Sequence, residues 1–326
     1  MLLIIRIRQR AADAIKQFTD YYFIERKMTI RRKKAGTLPL MCFLALTALV
    51  TGCIKEDLSE CTTEYTFTVK AYDSSGELSD GEVADVTLFV FNGGSLCFTE
   101  YIETRVGESV TISIPDDDGI HIVGWGNLGG GSQQCAIPRV GDSKDVCCVD
   151  LLPHTRATTY ALAPDDLFRG ELTVLPADGP SENVIPVYRE VGSMTVTVRN
   201  LPSSPPSAGA EDNYSIVIHE TPSSIDFYGN LSGEKVGYRP TGTLVTNAGH
   251  PEYYVTPFNL FPDTDGMRIE VYQGEQLLAS VTHDKTGTPV VVQKDRLTNV
   301  LIDLSGTVSV SLSISQWGEE QVWKEF

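Results

Sequence analysis

The stretch Glu64–Tyr72, "EYTFTVKAY", decides the fold class. Tyr65, Phe67, Val69 and Ala71 fall on one face, and Thr66, Thr68 and Lys70 on the other. A period of two with aromatic and β-branched residues marks a half-buried strand. The same pattern recurs outward from it. Asp85–Gly94, "DVTLFVFNGG", closes in Asn-Gly, a hairpin signal. Ser109–Gly119, "SVTISIPDDDG", alternates Val110, Ile112 and Ile114 before an acidic turn, and Ile120–Gly131 runs from an apolar strand into glycines. Further on, Met194, Val196 and Val198 alternate with Thr195, Thr197 and Arg199. Five more β-type runs follow, ending in "TVSVSLSISQW" (Thr307–Trp317), each bounded by Gly, Pro, Asp or Asn. No stretch carries a capped apolar period of 3.6. The expected fold is all-β, two β-sandwich domains in tandem.

Upstream, Leu38–Val50, "LPLMCFLALTALV", is apolar but too short to span a bilayer, and it has the length of a signal-peptide core. Arg31-Arg32-Lys33-Lys34 precedes it as a basic n-region, and Val50-Thr51-Gly52-Cys53 follows it. An aliphatic residue, two small residues and a Cys resemble the bacterial lipobox, which makes Cys53 the expected lipidation site. Met28 begins a conventional signal peptide, so translation is expected to start there. The expected organisation is a signal region over 1–52, a lipidated N-terminus and linker over 53–61, one sandwich over 62–185 and a second over 186–326.

Residues 1–52 hold 10 of the 26 Lys and Arg and 3 of the 43 Asp and Glu; the remainder carries 16 against 40, a formal charge of −24. A field of that sign repels nucleic acid and anionic membrane surfaces. Attachment to the outer membrane must then come from the lipid. Ile54-Lys55-Glu56-Asp57 puts acidic residues just after Cys53, resembling an export signal for surface lipoproteins. Five cysteines lie beyond Cys53, namely Cys61, Cys97, Cys135, Cys147 and Cys148. An odd number leaves at least one without an internal partner, and the pairing stays open. No C-x-x-C occurs, so neither a zinc ribbon nor a thioredoxin-type site is indicated.

Asp284-Lys285-Thr286-Gly287-Thr288 spells the phosphorylation signature of P-type ion pumps. It lies between "LLASVT" and "PVVVQ", and the chain has no set of apolar spans, so it reads as a turn. Gly124–Gly131 lacks the Lys-Ser/Thr of a phosphate loop, and Asp116–Asp118 lacks EF-hand spacing. His219-Glu220 lacks the second His of a zincin, and no G-x-S-x-G occurs. No catalytic residue, cofactor or metal is expected. Trp125, Trp317 and Trp323 are candidate sugar-stacking residues if exposed, although Trp125 sits in an apolar strand.

Several segments together resemble the FimB-type fimbrial anchor family, the minor-fimbrium lipoproteins of Bacteroidetes-type bacteria. They are "CIKEDLSEC" (Cys53–Cys61), "DVTLFVFN" (Asp85–Asn92), "IVGWGNL" (Ile122–Leu128), "DDLFRGEL" (Asp165–Leu172) and "VYREVGSMTVTVRN" (Val187–Asn200). The resemblance implies transthyretin-like sandwiches, a lipid at Cys53, and attachment of a fimbrial shaft subunit to the outer membrane by β-strand exchange. It implies no catalytic residue. Shaft subunits of this class are cut after a basic residue to release the lipidated end. Between Cys53 and Lys70 the only basic residue is Lys55, and the first Arg is Arg105, so the lipidated end should be retained. Val308–Trp317 is the strand expected to exchange, with its ordinary reading being the last core strand. The alternative function is a surface glycan-binding or adhesin lipoprotein.

Overall fold

The computed structural model describes residues 62–115, 119–155, 160–175, 182–202, 214–247, 249–320 and 323; Cys53, Cys61, the signal region and Asp116–Asp118 lie outside them. The first half runs through β1 (Thr62–Asp73), β2 (Gly76–Glu77), β3 (Val86–Asn92), β4 (Phe98–Thr104), β5 (Ser109–Pro115) and β6 (Ile120–Gly126). An excursion then carries β7 (Gln133–Cys135) and β8 (Cys148–Leu151), before β9 (Phe168–Val174) and β10 (Glu182–Arg189). The second half begins with β11 (Gly192–Arg199), β12 (Tyr214–Thr221), β13 (Ser224–Asp226), β14 (Leu231–Ser232), β15 (Val236–Tyr238) and β16 (Gly242–Asn247). It ends with β17 (His250–Leu260), β18 (Arg268–Gln273), β19 (Gln276–Val281), β20 (Arg296–Asp303) and β21 (Ser309–Gln316). The fold is all-β, and its only helical turns among the described residues are two of 3-10 type.

Eight strands form the first sheet, in the order β2-β1-β10-β9-β6-β3-β4 with β5 also beside β1. This sheet closes on itself as a sandwich. Tyr65, Phe67, Val69 and Ala71 of β1 share one core with Leu88 and Val90 of β3 and Ile122 of β6, as the alternation in Glu64–Tyr72 requires. The fold line lies between β9 and β10, which pair only at Tyr188↔Arg169 and Arg189↔Phe168. A side chain at Gly170 would place its Cβ 1.7 Å from the Pro186 carbonyl oxygen, so β9 and β10 can come this close there only over a glycine.

The second sandwich stacks β16-β17-β11-β20-β21 on β15-β12-β18-β19. Met194, Val196 and Val198 point into its core with Ile216, Ile218, Ile269 and Val300.

A fourth sheet, β14-β13-β8-β7, draws strands from both halves of the chain. Ile225 of β13 pairs with Val149 of β8. Just beyond, Phe227 meets Phe89 edge-on at 4.8 Å and Trp125 at 5.8 Å. These contacts bury the outer face of β3 and β6, and every residue of β6 is buried. Trp125 has no exposed surface.

Candidate functional site

The residues singled out as chemical candidates are dispersed over the structure. Asp284 sits in an exposed turn, where its Oδ1 accepts from the N–H groups of Thr286 and Thr288 at 2.8 and 2.9 Å and from the Thr286 hydroxyl at 2.7 Å. The hydroxyl and these N–H groups hold its carboxyl below its ordinary pKa. A carboxylate whose lone pairs stabilise its own turn is a structural acceptor. Asn127 ends β6 in a left-handed conformation (φ 61°), and Gly129 and Gly130 pack against the carboxylates of Asp85 and Asp165. That loop therefore presents acids where a phosphate would need donors.

Two histidines do meet carboxylates. His219 Nε2 lies 2.9 Å from Glu270, which also accepts from Tyr272 and Arg268 at 2.7 Å each. His121 Nε2 lies 2.8 Å from the ammonium of Lys144, which donates to Glu171 at 2.8 Å and lies 4.0 Å from the centre of the Tyr228 ring. Lys144 is 1% exposed while the Glu171 side chain is 43% exposed, so a buried ammonium is held here by a carboxylate that reaches solvent. Neither set lines either of two clefts among the described residues. One cleft, of about 270 Å³, is lined by His154, Tyr238, Arg239 and Phe258 without a carboxylate. Another, of about 510 Å³, is lined by Glu82, Asp85, Asp165 and Asp166 without a histidine. Among the described residues no three His, Cys, Asp or Glu are placed to hold a metal. The four described cysteines are free thiols, and burial pushes Cys135 up to about 12 and Cys147 up to about 11.

The geometry with assembly potential is at β21. It pairs with β20 through eight residues, Arg296↔Gln316 to Asp303↔Ser309, and ends the sheet. A rim strand carries backbone groups that a partner strand can use. Along it Val310 is buried, Leu312 half-buried and Ile314 45% exposed. The inward alternation read from the sequence is thus present, but it fades into solvent toward the C-terminal end. Small serines fill the other face, where Asn299 Nδ2 donates to Ser315 Oγ at 3.0 Å.

Past β21 the chain turns back over that sheet. Ser315 donates its hydroxyl to the Glu319 carbonyl, Glu320 accepts from the Tyr254 hydroxyl, and Arg199 donates to the Trp323 carbonyl at 2.9 Å. Arg199, which this return segment bonds, is buried, as is Thr197 on the same face of β11. Trp317 stacks on Arg189, at 4.2 Å from guanidinium to ring centre. Burial opposes the charge of Arg189, but Asp166 and Asp295 outweigh it and raise its pKa. Nothing in the sequence marks Arg189 as the meeting point of Asp73, Asp166, Asp295, Phe168 and Trp317, because all of them are remote along the chain.

Comparison with known proteins identifies the family and the fold. A family model described as fimbrillin-A associated anchor proteins Mfa1 and Mfa2 matches residues 58–323. The major fimbrium anchoring subunit FimB of Porphyromonas gingivalis strain W83 is 25% identical over 301 residues, covering 87% of this chain and 96% of the relative. This relative is a subunit of the major fimbrium, whereas the sequence resemblance names minor-fimbrium lipoproteins. Among solved structures, the fimbrial anchor protein Mfa2 of Porphyromonas gingivalis superposes with a TM-score of 0.56 at 13% identity, over 79% of this chain and 98% of that one. A candidate polysaccharide-binding protein of Bacteroides thetaiotaomicron gives 0.57 at 12% identity, over 80% and 99%.

Proposed function

This chain belongs to the family of fimbrillin-A associated anchor proteins, and from that premise we propose that it is a non-catalytic outer-membrane lipoprotein, acylated at Cys53, that holds a fimbrial shaft at the cell surface by β-strand exchange. The observation that carries the reading is the family match over residues 58–323. The signal peptide and lipobox supply the lipid, and the acidic Ile54–Asp57 stretch supports surface export. The absence of an Arg from the linker supports retention of the lipidated end. A transthyretin-like build of each sandwich is part of the same reading. The rim position of β21 offers the strand, and the exchanged pairing would hold the shaft subunit without covalent chemistry. In a deletion strain, or one carrying Cys53→Ala, shaft polymers should appear in the medium. Shafts that stay cell-bound and of normal length in the deletion strain would refute the anchor.

A second reading, a glycan-binding adhesin, is favoured by one observation. Tyr188 is 53% exposed and stacks at 5.6 Å on Tyr72 on the outer face of the first sheet. Exposed aromatic faces suit sugar rings. Glycan-array binding that is lost in Tyr188→Ala, with shafts normal in the deletion strain, would select it.

A further inference from the structure

β1 follows the Cys53 linker directly, and it lies within its sheet. Its first half pairs with β5, from Thr62↔Pro115 to Thr68↔Ser109. From Thr66 onward it pairs in parallel with β10 through seven residues, ending at Tyr72↔Tyr188. Thr66–Thr68 is flanked on both sides. Two residues past its end, β10 resumes as β11 in the second sandwich. β11 is itself parallel to β20, from Ser193↔Leu297 to Arg199↔Asp303. At the far end of β1, the Ser74 N–H donates to Asp295 at 2.6 Å, and the Asp73 carboxylate lies 3.7 Å from Arg189. The line from Thr62 to the second sandwich therefore runs along the length of β1.

We propose that β1 has a mechanical function: it is a tension clamp that transmits pull from the lipidated end to the second sandwich. The proposal rests on the reading that Cys53 is tethered and a filament is held. Pull on Thr62 drags β1 lengthwise past β10, whose opposite end is drawn away through β11. Two parallel strands pulled from opposite ends are sheared. Each backbone hydrogen bond is weak by itself, but in shear the whole ladder carries the force at once. In an unzipping pull the terminal pair carries all of it. Withdrawal of β1 also drags Tyr65, Phe67, Val69 and Ala71 out of a close-packed core. The parallel β11–β20 pair repeats the arrangement one sandwich further on.

Single-molecule force spectroscopy on the mature chain, without lipid, tests the clamp. One ligation handle precedes Ile54. In the shear geometry the second handle is in the exposed Gly274–Glu275 turn between β18 and β19. In the unzipping geometry it is attached at position 117, two residues after Pro115, the partner of Thr62. The first sandwich should yield at a several-fold higher force in the shear geometry. Equal forces in the two geometries would overturn the proposal. Leu88→Ala, in the core of the same sandwich but off β1, should lower equilibrium stability and keep the gap between geometries. A gap that disappears in this variant would show that force merely tracks global stability, and would also overturn it. The measurement involves no lipid and no shaft. Its failure leaves the anchoring reading standing, and shafts retained in the deletion strain would refute anchoring without changing the forces.

Discussion

The Arg189 guanidinium lies over the Trp317 ring, 4.2 Å from its centre, and joins the end of β10 to the residue that follows β21. Arg189 donates from Nε to Asp166 at 2.7 Å and from Nη2 to the same carboxylate at 3.1 Å, and it also donates to Asp295. Its side chain is 3% exposed and that of Asp295 is 13% exposed. Arg189→Ala leaves both carboxylates with no cation between them, and loss of one partner from such a buried pair costs about 3–5 kcal/mol. Arg189→Lys keeps the charge but loses the two-pronged bond and the ring stacking, so its loss should be smaller but clear. Denaturant unfolding followed by tryptophan fluorescence measures both, and an Arg189→Ala midpoint equal to wild type would remove Arg189 from this role.

Phe227 makes the two halves cooperate. It reaches from beyond β13 into a ring set of Phe89, Phe91 and Trp125 on the first sheet. Truncating a fully buried Phe costs about 3–5 kcal/mol. Because the lost contacts lie between the halves, Phe227→Ala should also split a single thermal transition into two. A calorimetric trace that moves down in temperature but stays single would assign Phe227 to one sandwich alone.

The His121–Lys144 cluster gives the fold an acid dependence. Burial, and then Lys144, lowers the His121 pKa from its ordinary 6.5. Glu171 acts in the opposite sense and Arg169 in the same sense as Lys144, while Thr173 bonds Nδ1 at 2.8 Å. With the folded value below the unfolded one, the unfolded chain takes up the proton first as pH falls through about 6.5. Stability should therefore be full above that pH and decline below it, down to the folded pKa. Asp166, raised mainly by burial, works in the opposite direction at more acidic pH. Comparing unfolding midpoints of wild type and His121→Gln at pH 7.5 and 5.5 isolates the imidazole. An identical pH response in both proteins would discount it.

Asp284 should have no phosphoryl role. Asp284→Asn keeps an acceptor oxygen for the turn, so its thermal midpoint should barely change. Asp284→Ala loses three accepted bonds and should lower it slightly. A stable acyl-phosphate formed from ATP and absent in Asp284→Asn would contradict the turn assignment.

How legible the fold was depended on strand length. β1 and β11 are long enough for a period of two to show, and Tyr65–Ala71 and Met194–Val198 point inward as read. The sheet of β7, β8, β13 and β14 was not legible. Its strands have two to four residues each, too few to show a period, and β8 finds its partner β13 more than seventy residues later. β11 was legible on one face only. Thr195, Thr197 and Arg199 alternate as a solvent face would, yet all three are buried, and a segment after the last strand returns to bond Arg199 and Tyr254. Trp317 had an open reading as a sugar platform, and its Arg189 partner could not be inferred from a sequence distance of more than a hundred residues. The lipobox at Cys53 is a purely local signal, and that residue lies outside the described ones.

The rim position of β21 separates attachment from folding in the last prediction. Val310 is 4% exposed and belongs to the core, whereas Ile314, four residues on, is 45% exposed. A lysine at a rim strand discourages pairing with another chain. Ile314→Lys should leave the unfolding free energy within about 0.5 kcal/mol of wild type, as exposed substitutions generally do. Val310→Lys buries an unpaired charge and should destabilise the second sandwich by several times that amount. If β21 is the strand that engages a shaft subunit, cells with Ile314→Lys should shed shafts while keeping normal amounts of folded protein in the outer-membrane fraction. Cys53→Ala should shed shafts by a different route, because the protein itself leaves that fraction. Shafts retained at wild-type levels in Ile314→Lys but shed in Cys53→Ala would move the contact to another rim, such as β4 or β19, and leave the lipid anchor intact.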